Sequence, residues 1–162
     1  MAGLHWIEIG PPGRIATAAR PRAGDWLEDE LRSWKGEGAN VVVSLLERDE
    51  TVELELGGEA AVCQALGLTF INMGVPDMGV PIEMGETRRL VSDLAARVRR
   101  GEALVVHCRG GLGRSSTIAA AILKHLGISP HDAFERISKA RGFRVPETPE
   151  QIAWVEAYPV AA

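Results

Sequence analysis

Cysteine is scarce in this chain, with only Cys63 and Cys108 among 162 residues. Two thiols cannot make a disulfide framework, so the fold must rest on a hydrophobic core, and the usage fits a reducing cytoplasm. Long hydrophobic runs are missing too. The longest, at 41–46 and 118–123, fall far short of the about 20 apolar residues that a membrane span needs, and no secretory h-region lies near Met1. A soluble, cytoplasmic protein without a membrane partner is expected. An excess of positive charge is also absent: 18 Lys and Arg stand against 22 Asp and Glu, a net charge of −4. That argues against nucleic acid as the main partner, although a local basic patch is still allowed. The four histidines, His5, His107, His125 and His131, show no spacing with acids or cysteines that would hold a metal. No metal or cofactor is expected. Neither repeats nor low-complexity linkers occur. At 46% hydrophobic and 25% charged, the chain is long enough for one well-buried core and too short for two ordinary domains, so residues 1–162 read as a single domain.

What is present alternates between strand and helix patterns. His5 to Ile9 and Arg14 to Ala18, around Pro11-Pro12-Gly13, read as a hairpin or two edge strands. Asp25 is placed to cap a helix running to about Lys35 that buries Trp26, Leu27, Leu31 and Trp34. Ala39 to Leu46 is a continuous apolar run, as in a strand covered on both faces. Gly58 to Ala65 reads as a short helix closed by Gly67, and Leu68 to Met73 as a second interior strand. Leu90, Val91, Leu94 and Val98 form a helical stripe within Glu86 to Arg100. Ala103 to His107 is the third strand, and the helix beginning near Ser115 is apolar on nearly every side until Lys124, so it must be central. Ser129-Pro130 and Thr148-Pro149 open the last two helices, ending near Arg141 and Tyr158. This order implies an α/β fold in one domain, with a central, mostly parallel sheet flanked by helices and ligands bound beyond the carboxyl ends of the strands.

Residues 107–115 read His-Cys-Arg-Gly-Gly-Leu-Gly-Arg-Ser between the third strand and the central helix. Gly110, Gly111 and Gly113 let the backbone curl until successive N–H groups face one point, and the helix adds its positive end there. That point suits an oxyanion such as phosphate. Cys108 would sit among inward-pointing amides and the guanidinium of Arg114, which favour thiolate over thiol. A nucleotide-binding P-loop is the nearest competitor, but it needs glycine in place of Cys108 and lysine in place of Arg114. An inert buried cysteine would not explain three glycines and an arginine at the mouth of a helix.

Cys-x-x-x-x-x-Arg preceded by His107 and followed by Ser115 resembles the signature of the cysteine-dependent protein phosphatases, protein-tyrosine and dual-specificity. Val41 to Leu46, Val75-Pro76-Asp77, Thr148-Pro149-Glu150-Gln151 and Arg20-Pro21 are similar to the pattern of the small members related to kinase-associated phosphatase. The resemblance implies hydrolysis of phosphate monoesters through a cysteinyl-phosphate on Cys108. Arg114 and the loop residues Arg109, Gly110, Gly111, Leu112 and Gly113 would hold the phosphate, and Asp77 would serve as the general acid. Val75 stands where longer members carry tryptophan. Ser115 would help the thiolate leave, with His107 supporting the loop. Gln151 matches a position that places the hydrolytic water, yet Thr148-x-x-Gln151 is also a capping box.

Several alternatives stay open. Asp77 on its own reads as a turn residue, and Glu47, Asp49 and Glu50 on a neighbouring loop are rival acids. Arg109 points outward to substrate or back into the loop, and Arg141 and Arg144 are candidate rim residues. Cys63 is either a packing residue or a redox partner of Cys108. The expected partner is a phosphorylated protein or peptide carrying phosphotyrosine, with phosphoserine and phosphothreonine allowed. A phosphoinositide or small-molecule phosphatase of the same mechanism and a phosphate-binding module without catalysis are the other readings.

Overall fold

A computed structural model describes residues 3–160. Five strands form one sheet: β1 (His5–Trp6), β2 (Arg14–Ala18), β3 (Val41–Ser44), β4 (Thr69–Asn72) and β5 (Ala103–His107), in the order β1-β2-β5-β3-β4. β2, β5, β3 and β4 are parallel and β1 alone is antiparallel. The helices are α1 (Leu27–Gly36), α2 (Arg48–Glu53), α3 (Glu59–Leu66), α4 (Met84–Arg99), α5 (Arg114–His125), α6 (Pro130–Arg141) and α7 (Pro149–Ala157).

Strand periodicity divides the core into two layers. Val41, Val43, Leu104 and Val106 face the helices α4 to α7, while Val42 and Val105 face α1 and α3 with Leu31, Trp34 and Cys63. Covered on both faces, β3 and β5 read as unbroken apolar runs for this reason. α5 packs against the sheet with Arg114 to Leu123 all buried, which explains why its sequence shows no polar face.

Register then fixes the position of the site. His107 pairs with Ala18 on one side and Ser44 on the other, and Ser44 pairs with Asn72. Four strands therefore end level, and the segments that follow them share one rim.

The structure corrects four expectations. Asp25 caps nothing: it lies inside a 3₁₀ turn, Gly24–Trp26, that leads into α1. Trp26 is exposed rather than buried, lying beneath the Arg22 guanidinium at 4.5 Å, because the 3₁₀ turn rotates it off the apolar stripe. The segment Leu68 to Met73 forms an edge strand with Thr69 and Asn72 exposed, since apolar content cannot reveal that no strand lies beyond it. β1 pairs antiparallel with β2, as the hairpin reading has it, and the reading of two edge strands falls, since β2 is interior and parallel to β5.

Candidate active site

The loop from Cys108 to Gly113 joins β5 to α5, and its three glycines answer to different constraints. Gly111 has φ +75°, and a Cβ there would come within 2.7 Å of Ala19 N and 2.8 Å of Ala18 C. That backbone belongs to the end of β2 and has no room to yield. Gly111→Ala is therefore expected to cost about 1–3 kcal/mol and to weaken oxyanion binding, read by thermal melting and by competitive inhibition with phosphate. Gly113 is needed for close approach, since a Cβ there would sit 2.2 Å from Glu147 Oε1 and 3.0 Å from Gln151 Nε2. Gly110 is exposed in open space.

Outward ties orient the loop. The carbonyl of Cys108 faces His107 Nδ1 at 3.2 Å, that of Arg109 accepts from Arg20 N at 3.2 Å, and that of Gly111 accepts from Arg141 Nε at 3.2 Å. Gly113 O accepts from Thr117 N at 3.0 Å and Thr117 Oγ1 at 2.8 Å. A planar peptide points its N–H opposite to its C=O, so carbonyls held outward turn the next amides inward. No side chain caps α5 at Gly113, which leaves its first N–H groups for a ligand.

Cys108 is buried at the floor of this loop. Its Sγ accepts from Gly111 N at 3.3 Å and lies 3.4 Å from Ser115 Oγ, where the hydroxyl is placed to donate to a thiolate.

Arg114, almost completely buried, is held from several directions. Its Nη1 donates to Glu50 Oε1 at 2.7 Å and to Val75 O at 3.0 Å, and Nη2 donates to Glu50 Oε2 at 3.1 Å while pairing with Asp77 Oδ1 at 3.2 Å. The fork-on-fork pairing with Glu50 fixes the guanidinium plane. Burial by itself would raise the Glu50 pKa. The Arg114 hydrogen bond and charge outweigh it, helped by the Glu47 amide and Arg109, and hold Glu50 below the usual carboxylate range. Burial likewise pulls the Arg114 pKa down, but Glu50, Cys108 and Asp77 together push it above the usual arginine value.

Glu50 was legible only as a rival acid on a loop. In the fold, Glu47 to Glu53 includes the short helix α2, opened by a capping box between Glu47 and Glu50, and the Glu50 carboxylate serves both that box and Arg114. Asp77 follows β4 on the segment 73–83, with its side chain 58% exposed, in contrast to the 12% of Glu50. It faces the site from an exposed position on the rim.

Gln151 is fully buried and does form the capping box: its Oε1 accepts from Glu147 N at 2.9 Å and Thr148 N at 3.2 Å. Its Nε2 donates to Gly79 O at 3.1 Å, which ties α7 to the Asp77 segment. Arg109 points outward, half-exposed and 3.6 Å from Glu53. Arg141 turns onto the back of the loop, and Arg144 lines a cleft of about 570 Å³ with Phe134 and Ile152 that contains neither Cys108 nor Arg114. Among the described residues no group of three or more His, Cys, Asp or Glu is placed to hold a metal ion, and no helix is long and apolar enough to cross a membrane.

Cys63 belongs to the α1 and α3 layer and Cys108 to the other, with the sheet between them. Burial and the nearby Glu59 push the Cys63 thiol up to about 12, which leaves it a poor nucleophile. After peroxide and dithiothreitol, Cys63→Ser is expected to recover activity to the same extent as the unmodified chain. Faster irreversible loss in the variant would restore a redox partnership.

Residues 16–127 match the family described as Tc-R-P, polymorphic toxin system, DSP-PTPase phosphatase. The chain belongs to this family of phosphatase enzymes. Cyclin-dependent kinase inhibitor 3 of Rattus norvegicus is 25% identical over 134 residues, 82% of this chain and 63% of that protein. Its Mus musculus counterpart is 27% identical over 132 residues, 80% of this chain and 60% of that protein. The chain thus spans less than two thirds of the length of these relatives. A crystal structure of kinase associated phosphatase, with its catalytic-site cysteine substituted by serine, superimposes with a TM-score of 0.84 at 20% identity, covering 94% of this chain and 91% of that one. At that identity the likeness shows the fold. Tk-PTP in its active form matches with a TM-score of 0.71 at 28% identity, over 89% of this chain and 92% of that one.

Proposed function

We propose that this dual-specificity family member hydrolyses phosphate monoesters on proteins, phosphotyrosine first and phosphoserine or phosphothreonine also, through a cysteinyl-phosphate on Cys108. One observation carries the reading: a buried sulfur with the Gly111 amide and Ser115 hydroxyl on it lies beside an arginine whose Nη2 reaches the exposed carboxylate Asp77.

Each residue then has a task. An incoming phosphoryl group takes the Arg114 Nη2 position from Asp77 and the inward amides from Arg109 to Arg114, which together spread over its equatorial oxygens. Cys108 Sγ attacks phosphorus in line as the bond to the leaving oxygen breaks, and Asp77 protonates that oxygen. Water next attacks phosphorus, Asp77 takes its proton, the S–P bond breaks, and Ser115 donates to the departing thiolate. Glu50 keeps the Arg114 fork in plane throughout.

Exposed Asp77, Arg109 and Gly110 describe a shallow rim, which supports acceptance of more than one phosphorylated side chain. The partner is accordingly a phosphorylated protein or peptide.

The test is a panel of phosphotyrosyl, phosphoseryl and phosphothreonyl peptides and a phosphoinositide, assayed in chelator. Rapid quenching with ³²P-labelled peptide should label the protein transiently. The fastest turnover is expected on phosphotyrosine. Activity that vanishes with chelator, or turnover without any labelled protein, would overturn the mechanism, and a preference for the lipid would overturn the substrate class.

A further inference from the structure

Glu59 is a carboxylate with 1% exposure, set in the first turn of α3 on the side of the sheet away from Cys108. Burying a charge is costly unless it is paired, and an apolar pair of the same volume would often be as stable. Its partner is His107, fully buried at the end of β5, with Nε2 2.7 Å from Glu59 Oε2. Trp34 packs against the same imidazole at 5.9 Å between ring centroids.

The other ring nitrogen carries the consequence. His107 Nδ1 faces Cys108 O at 3.2 Å, and a carbonyl oxygen only accepts, so Nδ1 must hold a proton for that bond to exist. A ring whose Nε2 had no partner would be free to adopt the other tautomer and turn away. The contact with Glu59 holds the ring in the orientation in which a protonated Nδ1 meets Cys108 O. With the Cys108 carbonyl held outward, the planar peptide that follows aims the Arg109 N–H into the loop.

We infer that Glu59 is a positioning residue: acting through His107 across the sheet, it sets the peptide between Cys108 and Arg109 and thereby one of the amides that bind the phosphoryl oxygens. This rests on the proposed role of the loop in binding phosphate, and it adds a residue from α3 that neither the Cys-x-x-x-x-x-Arg motif nor the rim contains.

Vanadate inhibition constants measured on folded protein test it. Glu59→Gln keeps a hydrogen bond to Nε2 and should stay within about threefold of the unmodified chain. Glu59→Leu removes it and should weaken vanadate about 10- to 100-fold, as when the partner that orients a binding group is lost. Adding His107→Asn to Glu59→Leu restores a donor toward Cys108 O, and the double variant should recover most of the affinity. Loss of melting temperature in Glu59→Leu with vanadate binding unchanged would reduce Glu59 to a packing role. Glu59→Gln falling as far as Glu59→Leu would overturn the positioning argument in favour of bare charge. Should Glu59→Leu not fold, the double variant decides alone, since weak vanadate binding there removes the carbonyl contact from the account. Cys108→Ser separates the two levels: an active serine variant sinks the functional reading itself, whereas an inactive one with unaltered vanadate binding in Glu59→Leu sinks only this inference.

Discussion

Cys108→Ser is expected to lose turnover of p-nitrophenyl phosphate by at least about 10⁴-fold and still to bind phosphate or vanadate. The size of the loss follows from removing the atom proposed to form the covalent bond: a serine hydroxyl is a far weaker nucleophile than a thiolate, and knocking out a nucleophile elsewhere costs up to about 10⁶-fold. Binding survives because the oxyanion is held by other groups. Arg114 keeps its fork on Glu50, the carbonyls of Arg109, Gly111 and Gly113 keep their outward ties, and Ser115 keeps its place at the start of α5. Relief of the vanadate inhibition of a second phosphatase, or direct calorimetric titration, reads the binding. Retained turnover in the serine variant would remove Cys108 as nucleophile, and loss of both turnover and binding in a folded variant would make the sulfur a structural support of the loop.

Asp77→Asn is expected to lower kcat by about 10²- to 10⁴-fold on a phosphate ester with a poor leaving group, and much less on p-nitrophenyl phosphate. An amide donates no proton to the leaving oxygen, so the cost grows with the basicity of that oxygen. The decline of kcat from acidic to neutral pH should flatten in the same variant. Oxyanion binding should persist or tighten, because the asparagine no longer holds Arg114 Nη2 as an ion pair.

The rival acids give a contrasting result. Glu50 has both carboxylate oxygens on Arg114 and is held below the usual carboxylate range, so it is a poor proton donor near neutral pH. Glu50→Gln should therefore raise KM and weaken vanadate while leaving the dependence on leaving group intact. A strong leaving-group effect in Glu50→Gln, with Asp77→Asn near normal, would move the acid to α2. The sign of the Glu50 contribution to stability follows as well. A carboxylate whose folded pKa is depressed contributes stability above its unfolded value, near 4.5, and loses it as the pH falls through the lowered folded value.

Much of the site is local, and local structure is legible in a chain. His107 to Ser115 is one uninterrupted segment that runs from the end of a buried strand into a buried helix, so its turn chemistry, cysteine and arginine all appear in nine consecutive letters. Asp77 was reachable by one further rule, that parallel strands deliver their following segments to a common rim, and the level pairing of Ala18, His107, Ser44 and Asn72 is the physical content of that rule. Gln151 carried two readings, and the fold makes its cap while one N–H of Nε2 goes to Gly79 O. Glu50 escaped because a short helix of six residues leaves almost no periodicity to detect, so its acids looked like loop acids.

Other features depended on which elements face each other. Trp26 sits on an apolar stripe by spacing alone, but a 3₁₀ turn ahead of α1 rotates it into solvent against Arg22. β4 has the composition of a buried strand, and only the strand order makes it an edge. Cys63 and Cys108 are both buried thiols in the sequence pattern, and the sheet between their layers separates them. Pairing of Glu59 with His107 spans 48 positions, and that of Glu50 with Arg114 spans 64. By itself the sequence determined the α/β alternation, the glycine-rich loop from Cys108 to Arg114 and a carboxylate at the rim beyond β4, because backbone conformation and burial period act over a few neighbouring residues. Only the tertiary structure decided which carboxylate grips Arg114, which one pairs with His107 and that the two cysteines lie on opposite sides of the sheet, because those choices depend on contacts between distant segments whose energy exists only once the sheet has brought them together.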